Sequence, residues 1–381
     1  MLRKILTFFQ KETVLSISAI LAILSMFIVH PSGKYFSYID FRTLSLLFCL
    51  MSIVAGLSEI GLFDYLAEKI LSRANSIKSI IVLLVLLCFF FSMIITNDVA
   101  LITFVPFAII ILKKMSEKQK NYWILRTVVM QTIAANLGSM LTPIGNPQNL
   151  YLYARANMSA LALIRLMLPY SIAALVLLLV WIQVAAHREP VSTTENHISE
   201  LFSIHKAKAP NQTSLIGYLI LFLICLLVVA HIIDYRISFI LVIGYIFFKN
   251  RHLFKKVDYS LLLTFTALFI FIGNLKCIPQ FNHFLISIID GHETLTAILS
   301  SQIISNVPAA ILLSGFTKNY SALIIGTNIG GLGTLIASMA SLISFKYIAK
   351  EKTTLRGKYF MMFTIANIVF LILLLLCINL L

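Results

Sequence analysis

The sequence predicts an all-α integral membrane protein: two inverted-topology repeats, about nine transmembrane helices, two re-entrant hairpins and two broken helices. Three observations carry that expectation. The 381 residues are 60% hydrophobic and only 12% charged, with mean hydropathy +0.96, whereas soluble domains carry roughly 25% charged residues. Apolar runs such as 216–230 and 361–381 reach or approach the ~20 residues that span a bilayer. Finally, ANLGSMLTPIGNPQNL at 135–150 places Gly138, Pro143, Gly145, Pro147 and three asparagines inside an apolar stretch, and TNIGGLGTLIAS at 327–338 echoes it.

A continuous helix through 135–150 is disfavoured, because each interior Gly costs about 1 kcal/mol and each Pro about 3. Broken backbone at membrane depth persists only where protein or a wet cavity surrounds it. Aligning Asn136 with Asn328 pairs Gly138 with Gly330, Thr142 with Thr334 and Ile144 with Ile336. Paired interruptions in corresponding places point to a transporter's binding site.

In chain order, MLRKILTFFQKE lacks a cleavable-signal layout. Residues 13–30 form a first span and 41 to about 65 a second, which ends at Lys69, Arg73 and Lys78. The run 80–112 is apolar except for Thr96-Asn97-Asp98 and closes on KKMSEKQK. Basic loops gather on the cytoplasmic side, so this run reads as a hairpin turning at Asn97, with arms of about 15 residues. Residues 122–158 form a broken helix interrupted at 142–149, and 161–187 returns. These elements make a first half over 1–187, and the polar stretch 188–212 is a cytoplasmic linker.

The second half, 213–381, repeats the theme. Spans at 213–233 and 235–248 precede the basic loop KNRHLFKK, and 258–275 resembles 40–57 in opening on an Asp and an aromatic. A hairpin tip near 306 carries Ser305-Asn306-Val307-Pro308, a broken helix covers 320–349, and a final span runs to 381. The extra span 213–233 makes the second copy enter from the opposite face, which leaves the N-terminus cytoplasmic and the C-terminus external.

The net charge of +15 belongs to cytoplasmic loops, so no nucleic-acid partner is expected. The five cysteines stand singly in apolar runs, no CxxC or HExxH pattern occurs, and no Walker loop is present. Neither an enzyme nor a metal cofactor is expected. At the breaks, carbonyls and Asn or Thr oxygens suit a hard cation such as sodium, and helix N-termini suit an anion. The expected cation-binding residues are Asn97, Asp98, Asn136, Gly138, Asn306, Asn328 and Gly330. Those near substrate are Thr142, Gly145, Asn146, Asn149, Thr334 and Ser338. Small residues there could equally serve close helix packing. Asp98 is the one acid in the middle of a membrane segment, able to bind the cation, carry a proton or cap the second hairpin helix; its counterpart is Val307. Glu59, Asp64, Glu68 and Lys276 read as interfacial, and Arg42 and Arg155 as external anchors that can also attract anions.

TNDVALITFVPF, ANLGSMLTPIGNPQN, SNVPAAIL and TNIGGLGTLIAS resemble the ion transporter superfamily, which includes arsenite permeases, sodium/proton antiporters, citrate carriers and divalent-anion:sodium symporters. The resemblance runs from about residue 40 to the end of the chain. The divalent-anion symporters carry Ser–Asn–Thr on both hairpins and a Pro–Gly–Thr–Pro sequence. Here the hairpins read Thr96-Asn97-Asp98 and Ser305-Asn306-Val307, with Asn146 where that Thr is expected. The resemblance implies one cation site at Asn97 and 136–138 and a counterpart at Asn306 and 328–330. It also implies a homodimer formed by a scaffold domain and an elevator-like motion of the hairpin-bearing domain.

The resulting expectation is an inner-membrane secondary transporter of an inorganic or organic anion, coupled to sodium or protons. The alternatives are cation/proton antiport through Asp98 and, in a different class, a membrane-embedded enzyme or channel. Its partners are a small anion, a coupling cation and the bilayer. Cysteines introduced within KKMSEKQK and near Ser192 should both label from the cytoplasmic side. Labelling from opposite sides would remove the first hairpin.

Overall fold

Polar side chains at the heads of apolar runs fix where the helices begin. The computed structural model describes residues 12–189, 208–351 and 355–380, and among these every regular element is helical. The first half contains α1 (Thr13–Ile28), α2 (Tyr35–Tyr38), α3 (Phe41–Glu59), α4 (Leu62–Leu71), α5 (Ile77–Ile95), α6 (Asn97–Leu112), α7 (Glu117–Ser139), α8 (Pro147–Ala156) and α9 (Ala160–His187). The second contains α10 (Gln212–Val229), α11 (Tyr235–Lys249), α12 (Tyr259–Lys276), α13 (Pro279–Ile289), α14 (Glu293–Ile304), α15 (Asn306–Leu313), α16 (Tyr320–Ile329), α17 (Met339–Glu351) and α18 (Leu355–Leu380). Most of the expected linker lies outside the described residues.

Asp40 and Asp258 show the capping logic twice. Each accepts a hydrogen bond from the amide three residues on, Thr43 N and Leu261 N, both at 3.0 Å. That satisfies one of the orphan donors of a helix start and gives 40–57 and 258–275 the same helix start. Ser76, Asn146, Ser159, Asn211, Asp234 and Asn319 cap other helices in the same way.

Among the described residues six helices are long and apolar enough to cross a bilayer: α3, α5, α9, α10, α12 and α18. The chain is a multi-pass membrane protein. Helices α1, α6 and α16 are shorter apolar helices.

Three element boundaries differ from expectation. The single span expected from 41 to about 65 is two helices. The first stops at Glu59, Gly61 takes φ +74°, and α4 then buries Phe63, Ala67 and Leu71 along one stripe; a left-handed glycine is a routine helix stop. The arms of the first hairpin hold 19 and 16 residues, so α5 rises about 28 Å, close to a full hydrocarbon core. The first break opens at Met140 and closes at Pro147, which takes the first helical position. Asn136 and Gly138 therefore lie within α7, and Asn149 within the first turn of α8.

The halves interlock. Helix α1 packs on α12 of the other half, and α11 packs on α3. Likewise α17 packs on the hairpin arm α6, and α8 on the hairpin arm α15.

Within each half, a glycine lets the hairpin lie against the broken helix. A Cβ on Gly138 would sit 2.1 Å from the Phe89 carbonyl oxygen and 2.7 Å from Ser92 Oγ; one on Gly330 would sit 2.9 Å from Ile298 Cα and 2.9 Å from Ser301 Oγ. Both glycines serve close backbone approach. We expect Gly138→Ala to lower the thermal midpoint by an amount equivalent to about 1–3 kcal/mol, the usual range for overpacking. Gly244→Ala, on an open face of α11 with nothing within 4 Å, should raise it, since helical Gly costs up to about 1 kcal/mol relative to Ala. An unchanged midpoint for Gly138→Ala would show that α5 and α7 separate without penalty.

Candidate functional site

The two hairpin tips share one unusual backbone conformation. Thr96 has φ 75° and ψ 151°, and Ser305 has φ 74° and ψ 154°, a region that non-glycine residues enter at a cost of order 1–3 kcal/mol. Each tip is pinned to its own half's break: Asn97 N donates to Gly145 O at 3.1 Å, and Asn306 N to Ala337 O at 2.9 Å. The flanking threonines complete the attachment. Thr142 Oγ1 donates to Met93 O at 2.5 Å and Thr334 Oγ1 to Gln302 O at 3.1 Å. Both hydroxyls therefore point at the hairpin arms, with Thr142 half-buried and Thr334 exposed.

Beneath the tips, two clusters of side-chain amides cross between the halves. Asn136 Oδ1 accepts from Asn97 Nδ2 at 3.1 Å and from Ser338 Oγ at 3.0 Å, and its Nδ2 donates to Ser341 Oγ at 3.4 Å. Asn328 Oδ1 accepts from Asn146 Nδ2 at 2.9 Å, and its Nδ2 donates to Asn149 Oδ1 at 2.5 Å. In the register that pairs Asn136 with Asn328, Ser338 answers to Asn146 and Ser341 to Asn149. Each central asparagine thus binds the same two positions of the opposite half. All of these residues are buried.

The structure therefore gathers Asn97, Asn136 and Ser338 in one cluster and Asn146, Asn149 and Asn328 in the other. Asn306 is buried beside Gly331, against which its Nδ2 would lie 2.9 Å from an added Cβ. Gly145 is tight as well: a Cβ there would meet Ser139 O at 2.0 Å.

Two residues absent from the expected set complete the frame. Gln302 Nε2 donates to Gly330 O and Leu332 O, both at 2.9 Å, while its Oε1 accepts from Thr334 N at 2.9 Å. One side chain thus holds the second break, including Gly333 at φ +103°. Its only trace in the sequence is a lone glutamine in the apolar arm SSQIISN. In the first half Met93 occupies that place, and Asn149 Nδ2 binds the break instead, at Met140 O (3.0 Å) and Thr142 O (3.2 Å). Ser341 is the second, a serine indistinguishable in sequence from its neighbours.

Asp98 does not cap its helix. That amide, Asp98 N, is bonded by Asn97 Oδ1 at 3.0 Å, and the buried Asp98 Oδ1 has no hydrogen-bond partner. Asp98 lines a cavity of about 250 Å³ with Ser58, Thr103, Asn146, Lys256 and Asp258. A second cavity of about 240 Å³ is lined by Tyr38, Asp40, Tyr151, Arg155 and Lys276. Helix α8 stands between them, offering Pro147 and Leu150 to one and Tyr151 and Arg155 to the other. Arg42 is an anchor, donating to Val228 O and meeting His231 Nδ1, each at 2.8 Å. Glu59 ties His252 and Lys256 at the end of α3.

Comparison with known proteins adds an independent line. A family model described as a citrate transporter matches residues 5–319. An uncharacterized transporter of Methanocaldococcus jannaschii is 34% identical over 332 residues, 87% of each chain. An inner membrane protein of Escherichia coli is 32% identical over 85% of this chain and 84% of its own. A 46 kDa membrane protein of Mycobacterium leprae is 22% identical over 90% and 87%.

Gln302→Ala would strand the carbonyls of buried Gly330 and Leu332, at roughly 1–3 kcal/mol for each unsatisfied group, and release the amide of exposed Thr334. We expect a clearly lowered thermal midpoint and new proteolysis within 330–338. A midpoint matching the parent would show that the second break is held by other contacts.

Proposed function

The chain belongs to the citrate transporter family, a family of secondary transporters, and from that premise we propose that it moves a small inorganic or organic anion across the inner membrane. Sodium or protons drive it, by alternating access of an elevator-like kind. The observation that carries this reading is the pair of crossed amide clusters at the helix breaks. There α5, α7, α14 and α16 end while α6, α8, α15 and α17 begin. Carbonyl ends and carboxamide oxygens favour a cation, and amide ends favour an anion, so one region can hold both.

In this reading Asn97, Asn136 and the Gly138 turn hold one sodium ion, with Asn306, Asn328 and the Gly330 turn holding its counterpart. Asn146, Asn149 and Ser338 link those sites to the substrate, with Gly145 and the threonines Thr142 and Thr334 shaping the loops around it. Asp98 faces the cavity through which ions enter. The repeats are inverted, with about nine crossings and two re-entrant hairpins. The N-terminus and the linker are cytoplasmic, the C-terminus is external, and the protein works as a homodimer. The inner-membrane relative supports the location, and the family description makes citrate the first anion to test.

A second reading has one observation in its favour. The unpartnered buried oxygen of Asp98 suits a carrier of the exchanged proton, and cation/proton antiport would then need no anion.

Thermal stabilisation of the purified protein by sodium, lithium or potassium, across pH and an anion panel led by citrate, separates the two. Ligand bound only by the folded state raises the midpoint, by about 2.7 kcal/mol at a hundredfold excess over Kd. Symport predicts sodium-specific stabilisation enhanced by one anion. Asn136→Ala and Asn328→Ala should each abolish both that effect and uptake into proteoliposomes. Stabilisation that ignores anions, tracks pH and disappears in Asp98→Asn would establish the antiporter instead.

A further inference from the structure

A further cavity lies away from the helix breaks. A groove of about 740 Å³ runs between α7, α9 and α18, floored by Trp181 and Phe370, whose rings stand 5.9 Å apart. From Lys358 to Leu373 it follows α18 for about 22 Å, at 1.5 Å per residue. That equals about half of the 40–45 Å between the outer edges of a bilayer, which is one leaflet with its headgroups. The groove is apolar except at one end, where Asn121, Arg126 and Lys358 gather.

Among the described residues that end carries cations without acids. No acidic residue lines the groove among the described residues. The described acids on the adjoining segments are engaged elsewhere: Glu117 with Lys120, Glu189 with Gln119, and Glu351 with Lys113. Arg126 spends one Nη1 hydrogen bond on Tyr122 O, 2.8 Å away, and lies 3.8 Å above the Tyr122 ring. This fixes the guanidinium in place and leaves its other donors available. Fixed Arg donors suit a phosphate oxygen, and basic pockets between transmembrane helices are the usual receptors for anionic headgroups.

We propose that this groove is a binding site for an anionic glycerophospholipid, with the phosphate at Arg126 and Lys358 and an acyl chain along Val180, Ile365 and Phe370. The proposed orientation makes the leaflet the cytoplasmic one; the site itself does not depend on the transport reading. Charge complementarity and single-leaflet depth select a lipid over a second copy of the chain, which would have to bring an acidic ridge.

The test titrates the detergent-solubilised full chain with dioleoyl phosphatidylglycerol, dioleoyl phosphatidylcholine or inorganic phosphate, reading the thermal midpoint and, by native mass spectrometry, bound lipid. Phosphatidylglycerol should stabilise and remain bound, and phosphatidylcholine and phosphate should not. Lys358→Gln, on an exposed side chain, should weaken phosphatidylglycerol about fivefold, the effect of one basic residue, with the lipid-free midpoint kept. Arg126→Gln should do the same or more, and Val180→Trp should fill the groove and remove the bound lipid. Equal binding of the two lipids, a phosphatidylglycerol effect that survives Lys358→Gln, stabilisation by phosphate alone, or a dimer that dissociates on Val180→Trp would each overturn the proposal.

Discussion

Backbone that leaves the helix inside a membrane must find its hydrogen-bond partners within the protein or in a water-filled cavity, and this requirement organises the centre of the molecule. Met140 and Thr142 give their carbonyls to Asn149; Gly330 and Leu332 give theirs to Gln302. The carbonyls of Gly145 and Ala337 accept the tip amides of the two hairpins. Side-chain amides suit this work because one group donates and accepts at once without carrying charge. The asparagines at the breaks are therefore structural parts of the frame. They close the backbone's hydrogen bonds and leave oxygen-rich ground beside opposed helix ends.

Much of this could be read from residues, because interruption of an apolar run is a strong local signal. Pro143, Pro147 and the glycines announced the first break, and the echo of Asn136, Gly138 and Thr142 at Asn328, Gly330 and Thr334 announced the second. The hairpin tips were legible through Asn97 and Asn306. What stayed hidden depends on tertiary partners. The exchange between Asn136 and Ser338, or between Asn328 and Asn146, has no local trace, and Gln302 is one polar residue among apolar neighbours. The stop at Gly61 was missed because the apolar pattern continues into α4 and masks the change of direction. Side-chain direction was the other gap. Thr142 and Thr334 match in sequence, yet their hydroxyls turn to the hairpin arms.

The two halves use one frame with unequal parts. The first hairpin has arms of 19 and 16 residues, the second of 12 and 8. Aligning Asn97 with Asn306 puts Asp98 opposite Val307 in sequence, and aligning Asn136 with Asn328 puts Asn146 and Asn149 opposite Ser338 and Ser341. One half thus supplies carboxamides and a carboxylate where the other supplies hydroxyls and a methyl-bearing side chain. The chemistry of the two breaks is thus unequal, while both hairpins keep the same tip contact with their breaks.

The exchange of partners between halves also sets a timetable for biogenesis. Asn136 waits for Ser338, 202 residues later in the chain. At the usual 5–20 residues per second of synthesis that is about 10–40 s. Throughout that interval the first half sits in the bilayer with a central carboxamide lacking its final partner. Insertion machinery or water must shelter it until the last helices arrive, so the nascent protein is most vulnerable to misassembly and quality control while its second half is still being made.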